Sequence, residues 1–349
     1  MKRIPSLDGF RAISILLVLF CHSRLIGGFP DIISDIARQA EVGVTIFFVI
    51  SGFLITNLLL SEESKNGEIN IRAFYVRRVF RIVPVYLLYV VFILFWRNFE
   101  NVGLSKNNLV HVLTFTVNFD KYKNWLLGHF WTLSVEEQFY LFWPAMLIFL
   151  RKRLKITLVV LIVYSCVARV IAYKFPAYEV ISLAPFFKYS DAIFIGAFGG
   201  IMFFESPQIF AHKVFGWPPA KLIALGLFLM FIYFTEHGRF AFISLPFGNT
   251  IISLSILFLI CGYIQPSNSL VYKILNYRAV VHIGILSYSI YVWQEIFFVG
   301  DIKGVWRTFP YNILFIYLTA LASYYLWERP FLNLKKHFSA GRLKPAAHS

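Results

Sequence analysis

Two adjacent carboxylates, Glu136 and Glu137, stand in a long apolar stretch that opens at His129 and runs through Trp143 and Pro144. A charged group at the centre of a membrane helix costs roughly 2.5–3.5 kcal/mol on insertion scales, so a chain that keeps one there has a use for it. Other apolar stretches carry the same anomaly. Arg11 and His22 lie in the first, and Arg78 and Arg81 open the third. An imidazole and a carboxylate brought together make a proton-handling pair. Arginines three apart share a helix face and present planar forks suited to phosphate. Together these residues imply a polar reaction centre inside a membrane bundle.

The elements that must position them follow from composition. Hydrophobic residues make up 58% of the 349 positions and charged residues 15%, with a mean hydropathy of +0.68. Soluble domains average about 45–50% apolar and about 25% charged, so a soluble fold is excluded. Apolar windows near 10–28, 42–60, 80–97, 131–150, 156–174, 189–205, 219–235, 244–264, 283–299 and 309–327 are long enough to span. The fold class is therefore all-α, a polytopic bundle of about ten transmembrane helices. No linker divides it: residues 1–335 form one membrane domain and 336–349 a short basic tail. Residues 109–119 are too short to span and are expected at the outer surface or re-entering.

The net charge of +15 does not signal nucleic acid. With the N-terminus inside, twenty of the 33 Lys and Arg fall in segments on one side and eleven on the other, Arg11 and Arg169 being within spans. That asymmetry is positive-inside bias, and it places both termini and the 61–79 loop in the cytoplasm. Arg11 breaks the first apolar stretch early, and Cys21-His22-Ser23-Arg24 offers no small-x-small site, so the first span is expected to be retained. Cys21, Cys166 and Cys261, an odd count in apolar spans, read as buried hydrophobes. The 39 Phe, 19 Tyr and 8 Trp read mostly as packing and interfacial belts. No His/Cys/Asp set has metal-site spacing, and no glycine-rich phosphate loop is evident.

Ser6-Leu-Asp-Gly-Phe-Arg-Ala-Ile-Ser14, then His22, then Val42-Gly-Val-Thr-Ile-Phe-Phe-Val-Ile-Ser-Gly-Phe-Leu-Ile-Thr56 resembles the opening of acyltransferase family 3. The resemblance continues through Phe74–Tyr86, the Glu136 stretch, Ser287–Trp293 and Glu328-Arg-Pro330, in order along the whole chain. It implies an integral membrane enzyme that moves acyl groups, usually acetyl, onto sugars of lipopolysaccharide, exopolysaccharide and similar acceptors. Some relatives carry a soluble esterase-like domain, and none is expected here. The sequence departs from the family pattern at Gln294, where a histidine often follows the Ser-Tyr-x-x-Tyr-x-Trp run.

A rise of about 1.5 Å per residue puts His22 roughly 16 Å beyond Arg11 along the first span. The fourth span runs the other way from Trp131, which puts Glu136 about 8 Å below the outer face, at the depth expected for His22. His22 is thus expected as catalytic base or acyl carrier with Glu136 as its partner. Glu137 is the alternative, because adjacent helix positions point in different directions. Arg11, Arg78 and Arg81 gather at the cytoplasmic end, where the resemblance implies that they bind the acyl donor through coenzyme A phosphates. Arg72 and Arg77 read as ordinary anchoring, and Asp8 as a structural partner of one of the donor arginines. Ser51-Gly52 reads as close helix packing. Glu295 and Asp191 are open between site lining and structural ion pairs, and His129 between acceptor contact and anchoring.

The expected activity is an inner-membrane sugar O-acyltransferase. Its co-substrate is acyl-CoA, most simply acetyl-CoA, with no bound cofactor and no metal. Its acceptor is a saccharide, lipid-linked or free, and its other partner is membrane lipid. A transporter of lipid-linked sugars or small anions is the alternative, although it would favour paired broken helices in two related halves, and none are visible.

Overall fold

The computed structural model describes residues 4–98, 102–210, 213–299 and 304–339. The last ten positions of the basic tail lie outside these, as do Lys2, Arg3 and Lys303 of the charge asymmetry. Among the described residues there is no strand. Helix α1 is Pro5–Ser23, with its proline in the first turn, where a missing N–H costs nothing. Helix α2 is Gly43–Asn66 and stops at Gly67, whose φ of 78° suits a residue without Cβ. Helix α3, Ile71–Trp96, starts where the Asn70 side chain accepts from the Ala73 N–H. The others are α4 Trp131–Phe149, α5 Leu154–Lys174, α6 Ala184–Glu205, α7 Pro218–Glu236, α8 Ala241–Ile264, α9 Arg278–Trp293 and α10 Tyr311–Ser323.

Each helix falls in one of the ten expected windows, but seven of them are long and apolar enough to cross a membrane: α1, α2, α3, α5, α6, α7 and α8. The rest fall short for physical reasons. Glu136, Glu137 and Gln138 dilute α4, while α9 has 16 residues and α10 has 13. Helix α10 passes through a single π turn, Tyr324–Glu328, into Arg329–Ser339.

Two apolar masses build the core. One gathers Val49, Phe53, Trp143, Ile193 and Ile256 of α2, α4, α6 and α8. The other gathers Ile15, Tyr89, Leu286, Trp293 and Ile316 of α1, α3, α9 and α10. Glycines set the closest approaches. A Cβ at Gly52 would collide with the Ile193 carbonyl, and one at Gly196 with that of Val49, so α2 and α6 touch backbone to backbone. Gly284 of α9 meets the Asp8 carbonyl in the same way and fixes its register on α1. The expected packing role of Gly52 is therefore what the structure shows; Ser51, its neighbour, does something else.

The segment between α3 and α4 decides where α4 begins. Its short helix Lys106–Leu113 and its turns at Val117–Phe119 and Trp125–Gly128 bury Val112, Val117 and Leu127 almost completely. Tyr86 donates to the Val112 carbonyl at 2.9 Å and Tyr89 to that of Leu126 at 2.7 Å. Those tyrosines precede the end of α3 by seven to ten residues, roughly 10–15 Å at 1.5 Å per residue. The segment thus re-enters the bundle, one of the two placements expected for it, and α4 starts at that depth.

Candidate active site

The seam between the two apolar masses holds a cavity of about 270 Å³ that gathers Arg11 of α1, Ser51 of α2, Arg78 and Arg81 of α3, Glu136 and Tyr140 of α4, and Tyr288 of α9. The three arginines singled out by spacing therefore share one wall. Arg11 pairs with Asp8 at 3.1 Å, the structural role expected of that carboxylate. Arg78 lies over the Tyr140 ring, 5.1 Å from its centroid, and its buried Nε has no hydrogen-bond partner. Arg77 turns elsewhere and pairs with Glu62 at 2.5 Å. With three guanidiniums against Glu136, this arginine chamber is an electropositive, largely apolar-walled site, where an anion gains more than it would in water.

Ser51 donates to Glu136 Oε1 at 2.7 Å. The carboxylate is thus committed to the arginine chamber, and the expected pairing with His22 is not made. The reason is the re-entrant segment: α4 starts well below the end of α3, so Glu136 sits deeper than a helix starting at the membrane surface would place it. Glu137 does not line either chamber. It is half-buried, with Oε1 unpartnered.

His22 lies in a second cavity of about 250 Å³, together with Cys21, Glu41, Lys123, Trp125, His129 and Glu295. Its Nδ1 stands 3.3 Å from Glu295 Oε1, off the line of a hydrogen bond, and the ring meets Trp125 and Phe298 edge-on. The register explains the partner. His22 is fourteen residues past Asp8 and Glu295 eleven past Gly284, about 21 and 17 Å along their helices, within one turn of each other. Both helices run the same way, and the turn Gln294–Phe297 ends α9 beside His22. Glu295 thus lines the site, and its second oxygen is buried without a partner. Both amide atoms of Gln294 are also buried and unpartnered.

His129 is buried in the same chamber, its ring packed against Phe130, Tyr291 and Tyr89 at 4.2, 5.5 and 5.6 Å and both nitrogens unpartnered. Tyr291 donates to the His129 carbonyl at 2.6 Å and meets Thr132 Oγ1 at 2.6 Å. Val44 and Tyr291 line both cavities. The two chambers therefore adjoin, with these two side chains between them.

Asp191 belongs to neither chamber. It pairs with Arg169 at 3.0 Å and accepts from Asn249 at 2.7 Å and Thr250 at 2.6 Å. Arg169 spends its other donors on the Pro246 and Lys188 carbonyls, Thr250 Oγ1 and Cys166 Sγ. A buried pair this fully satisfied ties α5, α6 and α8 together and has no valence left for a substrate.

Fold and site define a polytopic helical membrane protein with an arginine-lined chamber beside a histidine–carboxylate chamber. The acyltransferase domain family matches residues 4–328, and the chain belongs to that family. A Staphylococcus aureus (strain COL) protein bearing a provisional O-acetyltransferase name is 29% identical over 338 residues, covering 84% of this chain and 50% of that one. The O-acetyltransferase OatA of S. aureus (strain MRSA252) is 28% identical over 393 residues, covering all of this chain and 60% of its own length. The peptidoglycan O-acetyltransferase OatA of Listeria monocytogenes is 31% identical over 171 residues, 44% of this chain and 26% of that one. The chain spans about half the length of the curated relatives it matches first. No solved structure matches it.

Proposed function

We propose that the protein is a membrane O-acetyltransferase that takes acetyl from acetyl-CoA and esterifies a hydroxyl of a cell-envelope saccharide. The observation that carries this reading is the pair of adjoining chambers. One offers Arg11, Arg78 and Arg81 to an anionic donor, and the other offers His22 with Glu295 to a hydroxyl. Lys and Arg asymmetry turns the arginine chamber toward the cytoplasm, where coenzyme A is available, and His22 toward the outside of a cell membrane. Helices α4, α9 and α10 also cross in this arrangement. Helices α9 and α10 are short, at 16 and 13 residues, and Glu136 of α4 faces a chamber rather than lipid.

The donor's phosphates engage the arginines, and its slender pantetheine arm points through the neck at Val44 and Tyr291. His22 takes the proton of the acceptor hydroxyl while the oxygen attacks the thioester carbonyl. The C–S bond breaks, and the imidazolium returns the proton to the departing thiolate, so that ester and free thiol are the products. In an acyl-histidine variant the imidazole attacks the thioester first and expels the thiolate, and the sugar hydroxyl then attacks the acyl-imidazole, its proton passing to the thiolate as the ester and free imidazole form. In both routes Glu295 stabilises the cationic ring. Glu136 keeps its place in the arginine chamber beside Ser51 and sets the local field there. The O-acetyltransferase names of the relatives support the acetyl group and the saccharide acceptor.

The test is purified protein with radiolabelled acetyl-CoA and an envelope saccharide extract. The reading requires alkali-labile label on saccharide together with stoichiometric release of thiol. A protein that binds the extract but never consumes acetyl-CoA would be a transporter or a binding module instead.

A further inference from the structure

A third cavity, of about 240 Å³, opens beside the histidine chamber between the ends of α2, α7 and α8 and shares Glu41, Val44 and Trp131 with it. Its aromatic wall is made by Phe48, Trp131 and Tyr189. The Trp131 and Tyr189 centroids lie 4.5 Å apart, and Tyr189 is 37% exposed. Opposite stand Glu41, Thr235, Glu236 and Asn249. Among the described residues, no ion pair involves Glu41 or Glu236. Both carboxylates are exposed, and Glu236 closes the end of α7.

An aromatic wall facing hydroxyl- and carboxylate-bearing side chains matches the two sides of a pyranose. The C–H face of the ring lies on the aromatic surface, and its hydroxyls meet the polar rim. The histidine chamber and this cavity are each smaller than the 300–1,000 Å³ or so of drug-sized sites, so each has room for about one sugar ring. Because they share three lining residues, a chain with one ring at His22 can run its neighbour into this third cavity.

We propose that this third cavity is a second saccharide subsite, which holds the ring next to the one being acylated and selects neutral or amine-bearing rings over acidic ones. It rests on the acyltransferase reading above, which it deepens by requiring an acceptor of at least two sugar units. Glu236 accepts from ring hydroxyls and attracts an ammonium, whereas Lys188, which lies over the Tyr189 ring at 5.2 Å, is held by Glu179. A uronic carboxylate meets like charge there.

Titration calorimetry on the detergent-purified protein, with no acyl donor present, tests it. The probes are glucose, cellobiose, cationic chitobiose (two glucosamine units) and anionic cellobiouronic acid. Cellobiose should bind at least tenfold more tightly than glucose, chitobiose at least as tightly as cellobiose, and cellobiouronic acid at least tenfold more weakly. Tyr189→Ala should lower cellobiose affinity to that of glucose and leave glucose unchanged. Glu236→Gln should close most of the gap between chitobiose and the acid. Retained coenzyme A binding would certify that both variants are folded. Equal affinities for glucose and cellobiose, equal binding of acid and neutral disaccharides, or no binding of any probe would each overturn the subsite. Because this readout needs no turnover, a protein that binds in the stated order yet never transfers acetyl would sink the activity and leave the subsite standing.

Discussion

Replacing Glu295 with glutamine takes away the negative charge that the carboxylate can set against a cationic His22 ring and little else, since the amide keeps the shape and can still bond the ring. His22 Nδ1 and Glu295 Oε1 are 3.3 Å apart, and the carboxylate side chain is 3% exposed. Two unit charges at that distance attract by about 5 kcal/mol at an effective dielectric constant of 20. At 1.36 kcal/mol per decade this sets a ceiling of nearly four decades on the rate. The contact lies off the hydrogen-bond line, so part of that ceiling is forfeited, and Glu295→Gln should lower kcat about 10²–10³-fold, within the range of general acid–base effects. The charge matters only once the ring is cationic. The KM for acetyl-CoA and coenzyme A binding should therefore stay within about twofold, since the donor is held a chamber away. The assay is steady-state acetyl transfer with the donor varied at saturating acceptor, paired with calorimetric binding of coenzyme A. A Glu295→Gln enzyme with more than a third of the parent kcat would refute the pairing. So would one whose donor affinity fell in step with its rate.

Four further outcomes follow from the same geometry. His22→Ala should abolish transfer with coenzyme A binding unchanged in calorimetry, whereas Glu136→Gln, whose carboxylate bonds Ser51 and not the imidazole, should retain more activity than Glu295→Gln. Arg78→Ala and Arg81→Ala should each weaken coenzyme A binding by about 1.5–3 kcal/mol with lysine restoring only part; unchanged affinity in both would remove the phosphate-anchor role. Gly52→Val would drive a side chain into the Ile193 carbonyl, and overpacking of this kind costs about 1–3 kcal/mol, read as a lower unfolding temperature in detergent with no selective loss of donor affinity.

The helices were legible because hydropathy is a length-scale signal, and α1 to α10 all fall in apolar windows. The arginines were legible too: Arg78 and Arg81 share a face by spacing alone, and counting residues along α1 sets Arg11 well apart from His22. What spacing could not supply was the position of one helix relative to another. The depth assigned to Glu136 assumed that α4 begins at the membrane surface, and Tyr86 and Tyr89, by pulling residues 112–126 into the bundle, place it lower. Glu295 required knowing that Gly284 seats α9 against Asp8 of α1, a register that no single-helix periodicity records. The sequence alone leaves Glu295 open between site lining and a structural ion pair, because its partner His22 is set by that register. The Asp191–Arg169 pair could not be separated from a site residue without its other partners, Asn249 and Thr250 of α8, some sixty positions along the chain.

The neck proposed at Val44 and Tyr291 has a consequence for the cell as a compartment. If only an acetyl group and the thin end of its carrier pass that point, the nucleotide end of the donor stays on its own side throughout the reaction, and no soluble metabolite crosses. Group transfer and membrane integrity then coexist without a moving gate, because the barrier is a matter of girth. A wider neck, as in Tyr291→Ala, would put the same bundle at risk of becoming a leak.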